Sequence, residues 1–123
     1  MNKESAFNQF WNSFGLTFYD ETSVPVGAAY PYGTYEAAFD GFGDSKIALD
    51  ASLWYTGRSW ESAMLKTEQI YKSIGVGGVT VPYDGGMLWV TRRTPFARRL
   101  GDDSNDQIRR VVLGINIEFV DSK

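Results

Sequence analysis

The sequence contains neither cysteine nor histidine among its 123 residues. Without cysteine there is no disulfide, no thiolate nucleophile and no Cys-ligated zinc, and without histidine there is no imidazole base and no His-ligated metal. Any chemistry would have to depend on carboxylates, Lys, Tyr or Ser, or on a carboxylate site for a hard cation. These absences exclude several large classes of enzyme and favour a protein that acts by assembling with other proteins.

Long hydrophobic runs are also missing. No apolar stretch approaches the roughly 18 to 20 residues that a helix needs to cross a bilayer. The first residues, Met1 to Ser5, lack the basic and apolar regions of a signal peptide. We therefore expect no membrane partner, and a protein that is made and used in a cytoplasm unless an assembly carries it elsewhere.

The composition is that of an ordinary folded domain, with 43% hydrophobic and 22% charged residues. The chain has no internal repeat, no low-complexity stretch and no segment that resembles a linker. A chain of this length supports one hydrophobic core and hardly two. We expect a single domain over residues 1–123.

Hydrophobic periodicity predicts two helices and several strands. Phe7, Phe10, Trp11 and Phe14 form one apolar stripe on a helix over residues 3–13, and Ser59 and Gly75 bound a second helix. The predicted strands cover residues 32–40, 47–55, 79–83, 87–91 and 110–119, with a possible short strand at 16–19 and a loop over 93–106. The expected fold is α+β, with one mainly antiparallel sheet of four to five strands and two amphipathic helices on one face. The other sheet face would be available to a partner.

The net charge is −3, but the basic residues are concentrated, because six of the seven arginines lie in residues 92–110. The predicted loop combines guanidinium groups with an apolar anchor, which suits docking onto carboxylates of a neighbouring subunit. There are two alternatives. The arginines could contact nucleic-acid phosphates, or they could lie on solvated surface and pair with Asp102, Asp103 and Asp106. The candidate interface residues in this segment are Arg92, Arg93, Phe96, Arg98 and Arg99.

Two tryptophans are further candidates. Trp54 falls on the strand face opposite to Leu53 and Tyr55, which predicts an exposed indole at a protein interface. Coverage by a loop and stacking on a ligand are the alternatives. A competing hypothesis for the chain is a carbohydrate-binding module, in which Trp54 and Trp89 would be the stacking platforms.

The glycine run and the groups of aspartates do not predict a phosphate, metal or catalytic site. The glycine run 75–78 follows a helix and precedes a strand, the reverse of the order that places phosphate on a helix N-terminus. Asp40 with Asp44, or Asp102 with Asp103 and Asp106, could in principle supply an acid and base pair or a cation site. The Asp102 group lacks the glycine and the distal glutamate of a calcium loop, which favours structural or solvating roles, and no catalytic pair stands out. We expect no cofactor, no metal and no catalytic residue.

The chain resembles a family of small neck proteins, often labelled minor capsid proteins, from siphophages that infect Gram-positive bacteria. The resemblance runs along nearly the whole chain and rests on aromatic and turn residues. These are Phe10-Trp11 with Phe14-Gly15-Leu16, Tyr19-Asp20-Glu21 before Val24-Pro25, Pro31-Tyr32-Gly33-Thr34-Tyr35, Ser52-Leu53-Trp54-Tyr55 before Ser59-Trp60, Gly85-Gly86-Met87-Leu88-Trp89, Arg93-Thr94-Pro95-Phe96-Ala97-Arg98-Arg99, and Ile108-Arg109-Arg110 to Glu118-Phe119.

The resemblance implies a tail terminator without enzyme activity. Such a subunit would form a hexameric ring at the head-proximal end of the tail tube, and would contact the tail tube protein and a head-completion or stopper protein. DNA would pass through its lumen. It would reside in the virion neck, after assembly in the host cytoplasm. The arginine segment would meet acidic residues of a neighbour, in the region 40–50. Another neck component, a head-closure or adaptor protein, is the nearest alternative, and a carboxylate-dependent hydrolase is the most remote.

Overall fold

A computed structural model describes residues 1–38, 46–101 and 105–121 of the chain. Two helices and six strands follow one another in this part. They are α1 Lys3–Asn12, β1 Phe18–Asp20, β2 Tyr32–Tyr35, β3 Ile47–Thr56, α2 Glu61–Ile74, β4 Val79–Tyr83, β5 Gly86–Gly101 and β6 Ile108–Asp121. Neither of these two helices combines the length and the apolar character that crossing a bilayer would require.

The six strands form one mixed sheet in the order β1-β2-β3-β6-β5-β4. All neighbours are antiparallel except β1 and β2, which run parallel. The α+β class and the single, mainly antiparallel sheet are confirmed, but the expected four to five strands are six. The predicted strand at 32–40 ends at Tyr35, and its last two positions, Phe39 and Asp40, lie outside the described residues.

Both helices form where the apolar stripes predicted them. At the start of α1, the Asn2 side chain accepts a hydrogen bond of 2.8 Å from the backbone N–H of Ser5 and so caps the helix. Before α2, the Ser59 hydroxyl accepts a bond of 3.0 Å from the backbone N–H of Glu61. Gly75 ends α2 with a positive φ of 76°, a conformation that glycine adopts without steric cost.

The core lies between the helices and one face of the sheet. The buried side chains of α1 and α2 belong to the same cluster as alternate residues of the central strands β3 and β6. This confirms two amphipathic helices on one face. The largest fully buried side chains include Trp11 and Phe7 of α1, Ile70 and Ile74 of α2, and Leu53, Leu113, Ile115 and Ile117 of the sheet.

The loop predicted over residues 93–106 is wrong, because strand β5 continues to Gly101 and pairs with β6 beyond residue 92. The pairing register shifts between Arg92 and Ala97, so this part of the strand contains a bulge. A bulge interrupts the alternation of inward and outward residues, and four of the nearby side chains are arginines. The sequence pattern therefore gave no sign that β6 would hold this segment as a strand.

Candidate interaction surfaces

The arginines of β5 are divided between the two faces of the sheet. Arg92 and Arg99 pair with the buried residues Ile115 and Val111 and therefore share the helix side. The guanidinium of Arg92 lies 3.8 Å from the ring centroid of Tyr71, and that of Arg99 lies 5.1 Å from the ring of Trp60. Both arginines thus stack on aromatic side chains around α2.

Arg93 lies on the opposite, open face and is engaged within its own chain. Its guanidinium crosses Gly114 and forms an ion pair and hydrogen bond with Asp50. It also donates to the carbonyl of Leu49 at 3.3 Å. Asp50 is therefore held by its own subunit, which weakens the expectation that region 40–50 receives a neighbour's arginines. Asp40 and Asp44 of that region lie outside the described residues.

Phe96 packs against Tyr71, with ring centroids 5.4 Å apart, and is half-buried. It contributes to a groove of about 320 Å³ between α2 and the second half of β5. We call this the α2–β5 groove; its lining residues are Met64, Thr67, Glu68, Tyr71, Phe96 and Ala97. Among the predicted arginines, Arg98 and Arg99 remain exposed. Arg99 lies on the same side of the sheet as the groove, whereas Arg98 pairs with Val112 and lies on the open face.

Trp54 lies on the open face, as its position in the sequence predicted, but it is half-buried. It pairs across the sheet with Tyr32 on one side and Arg110 on the other. The ring of Tyr32 is stacked at 6.3 Å, the guanidinium of Arg110 lies 4.6 Å from the indole centroid, and the indole N–H donates to Thr34 Oγ1 at 3.0 Å. Neighbours on both sides leave the indole poorly placed to stack on a sugar ring.

Trp89 is also held by its own chain. Its indole N–H donates to the carbonyl of Gly77 at 3.0 Å, and a Cβ on Gly78 would come within 2.6 Å of the same nitrogen. Trp89 pairs with Glu118 of β6, whereas Trp54 pairs with Arg110. Positions 110 and 118 are about 26 Å apart at about 3.3 Å per residue. The two tryptophans therefore do not form one stacking platform.

The exposed arginines and one acidic pair lie at different places along the sheet. Strands β5 and β6 carry Arg98, Arg99, Arg109 and Arg110 together with the acidic residues Glu118 and Asp121, whereas Asp20 and Glu21 lie at and after the end of the edge strand β1. Asp20 accepts hydrogen bonds from the Thr22 hydroxyl at 2.7 Å and the Thr22 N–H at 2.9 Å. These bonds lower the pKa of the Asp20 carboxyl and keep it ionised. The sequence showed the arginine cluster, but the sheet order is what places the Asp20 and Glu21 pair several strands away from it.

The edges of the sheet differ in how they are protected. The Asn12 side chain accepts from the Phe18 N–H at 2.9 Å and donates to the Phe18 carbonyl at 3.2 Å, and so caps β1. On the other edge strand, β4, Pro82 has no N–H to offer. Strand β4 pairs only with Gly86–Val90 of β5, so within the described residues the outer edge at 97–101 faces no strand.

Residues 1–38, 46–101 and 105–121 contain no group of three acidic residues that could hold a metal ion. Tyr83 has a strongly raised pKa. Burial and the hydrogen bond of 2.7 Å that it donates to Asp121 raise the pKa of its phenol to about 12. This phenol is neutral at ordinary pH and joins β4 to the end of β6, which is a structural contact.

Comparison with models of known protein families yields no match for the chain, and comparison with curated proteins yields none either.

Proposed function

We propose that the chain is a structural virion protein, a phage tail terminator that forms a ring, expected to be hexameric, at the head-proximal end of the tail tube. The ring would join the tube to the head-completion proteins, and the protein would carry no enzyme activity. The proposal begins from the resemblance to siphophage neck proteins. It adds the separate basic and acidic pairs of the folded subunit, which suit assembly with copies of itself.

The observation that carries the proposal is the distance along the sheet between an exposed arginine pair and an acidic pair. Arg98 and Arg99 lie on β5 and Asp20 and Glu21 lie at β1, with β2, β3 and β6 between them. Two separate patches of opposite charge favour heterologous contacts, in which a patch meets a different patch on the neighbour. Heterologous contacts close into a ring when the rotation per subunit fits.

Three of the predicted contact residues have another role in this proposal. Arg92, Arg93 and Phe96 hold Tyr71, Asp50 and the α2–β5 groove in place within the subunit. Trp54 and Trp89 likewise have partners in their own chain. Arg98 and Arg99 are the exposed arginines of β5, and we assign them to the contact between subunits, although Arg99 also stacks on Trp60 of its own chain.

The mechanism follows from the geometry of a closed ring. The ring would offer tube-like contacts on one side, towards the tail tube protein, and no copy of the tube's upper surface on the other. Growth of the tube would stop for that reason, and the second side would receive the head-completion protein. DNA would pass through the lumen, and the acidic excess of the chain would limit its binding to the wall.

The test is the mass of the purified protein in solution, measured by light scattering with and without assembled tubes of the tail tube protein. We expect a closed oligomer near six subunits, or a monomer that forms one only at tube ends. A strict monomer that ignores tubes would contradict the proposal. An oligomer that binds the head side and not the tube would instead assign the chain to another neck component.

A further inference from the structure

The connection between β1 and β2 is an exposed, uncharged segment. Residues 22–31 carry no charged side chain. Within it, the carbonyl of Pro25 accepts a bond of 3.2 Å from the Ala28 N–H, and Gly27 has a positive φ of 78°, which describes a tight turn. The side chain of Val26, inside this turn, is fully exposed. The turn therefore holds an apolar side chain out in solvent, where it has no contact in its own subunit.

The α2–β5 groove is apolar and open as well. Met64 and Tyr71 on its helix wall are 36% and 42% exposed, and the adjacent Leu65 is 61% exposed. Phe96 and Ala97 form the wall on β5. In a monomer of this size, adjoining exposed apolar side chains of this kind mark an interaction site. Within the described ranges, no other segment lines the groove.

The turn and the groove lie at different places along the sheet. The turn belongs to the β1–β2 connection, and the groove runs along β5, with β3 and β6 between β2 and β5. Four strand spacings from β1 to β5 correspond to about 19 Å at about 4.8 Å each. A subunit would therefore present its turn to one neighbour and its groove to the other, as a heterologous ring requires.

Charged residues flank both surfaces. Asp20 and Glu21 immediately precede the uncharged segment. On the side of the sheet that holds the groove, Arg92 stacks on Tyr71 and Arg99 follows the lining residue Ala97 by two positions, so that two arginines stand against the acidic lining residue Glu68. If the turn of one copy enters the groove of another, these acidic and basic residues approach each other. The match of apolar with apolar and acidic with basic favours a second copy of this chain as the occupant of the groove.

We propose that the turn 25–28 of one subunit inserts Val26 into the α2–β5 groove of the next subunit. This inference rests on the proposed ring and names the apolar part of its subunit contact. Insertion would bury Val26 against Met64, Tyr71 and Phe96, and the arginines beside the groove would set the orientation of the incoming loop.

Engineered disulfides test the geometry, and the absence of native cysteine makes the result unambiguous. The variants Val26→Cys and Met64→Cys are mixed, and the oligomer is assembled and oxidised. We expect a covalent dimer from the mixture, none from either variant alone, and a ladder of linked subunits from the chain that carries both cysteines. The matched control replaces Met64→Cys by Met87→Cys, a methionine of similar exposure on the open face. It should not cross-link to Cys at position 26.

A charge placed in the turn gives an independent measurement. Val26→Asp should raise the concentration at which the oligomer dissociates by about tenfold or more, whereas Val26→Leu should change it by less than about threefold. The monomer should fold equally well in both variants, because the side chain is exposed. Circular dichroism checks the folding, and light scattering checks the assembly.

The outcomes separate this inference from the proposed function. A closed ring that binds tubes but gives no cross-link through position 26, and assembles normally with Val26→Asp, would overturn the docking of the turn and leave the ring intact. A protein that forms no ring, alone or on tubes, would overturn both.

Discussion

Gly114 of β6 leaves room for the Arg93 side chain of β5 to cross this strand and reach Asp50 of β3. A Cβ at this position would lie 2.9 Å from the guanidinium nitrogens of Arg93, which crosses the strand to reach Asp50. Overpacking and the loss of a charge-assisted hydrogen bond each cost about 1 to 3 kcal/mol, and partial exposure of the pair reduces the second. We expect Gly114→Ala to lower the free energy of unfolding by about 1 to 2 kcal/mol.

The control for this substitution is Gly101→Ala, which also lies in a strand but has no atom within 4 Å of the place that a Cβ would take. Urea denaturation of both variants and of the parent measures the difference. Equal stability of the two variants would show that Arg93 adjusts to the added Cβ without loss.

The raised pKa of Tyr83 makes the free energy of unfolding depend on pH in the alkaline range. Its pKa is raised to about 12 in the folded chain, chiefly by burial and by the bond to Asp121, against about 10 in an unfolded chain. The stabilisation is complete below pH ~10, where the phenol is neutral in both states. It is lost as the pH rises from about 10 to 12, because the unfolded chain releases the proton first.

We therefore expect Tyr83→Phe to be less stable than the parent at neutral pH, by about 1 kcal/mol for the lost hydrogen bond. The difference between the two proteins should shrink as the pH rises through this range. Thermal unfolding at a series of pH values measures it, and phenolate absorbance follows the titration directly. A constant difference across the range would contradict the assignment of the raised pKa to Tyr83.

At the scale of elements, α1 does more than cover the core, since its last residue seals an edge of the sheet. Asn12 bonds both backbone groups of Phe18, as a neighbouring strand would. We expect Asn12→Ala to cost about 1 to 2 kcal/mol and to speed hydrogen exchange at the Phe18 amide. The matched control is Gln9→Ala, on the same helix and exposed. Equal effects of the two substitutions would mean that the Asn12 bonds do not protect the edge.

Strand pairing explains why the sequence predicted the face on which Trp54 lies but not how exposed its indole is. Alternation along β3 correctly assigned Trp54 to the face opposite Leu53, because the period of a strand is two. The neighbours that shield the indole, Tyr32 and Arg110, come from strands 22 and 56 residues away in the chain. No local pattern reports such a pairing, and the degree of exposure was therefore not predictable.

At the scale of the whole molecule, the proposed ring depends on attraction between opposite sides of the subunit. We expect the charge reversals R98E and R99E together to prevent assembly while the monomer stays folded, and the substitution E21R added to them to restore part of it. Assembly of the parent should weaken with ionic strength, because exposed charges are screened beyond about 10 Å at 0.1 M salt.

Light scattering across a salt series measures these effects. The control combines K46E and K72E, which change the net charge by the same amount at exposed lysines. If R98E with R99E assembles like the parent, the contact lies elsewhere. If the control fails to assemble as well, net charge rather than the β5 arginines governs association.

The sequence by itself determined the class of the fold, because amphipathic periods of 3.6 and 2 assign both helices and the inner face of the central strands without reference to distant residues. It also determined that neither thiol nor imidazole chemistry is available. The tertiary structure alone decided the rest. Four features depend on the order and register of strands: the parallel strand β1, the bulged extension of β5, the ion pair of Arg93 over Gly114, and the distance between the β5 arginines and the acidic pair at β1. Pairing between distant segments is set by the packing of the whole sheet, and no local pattern contains it.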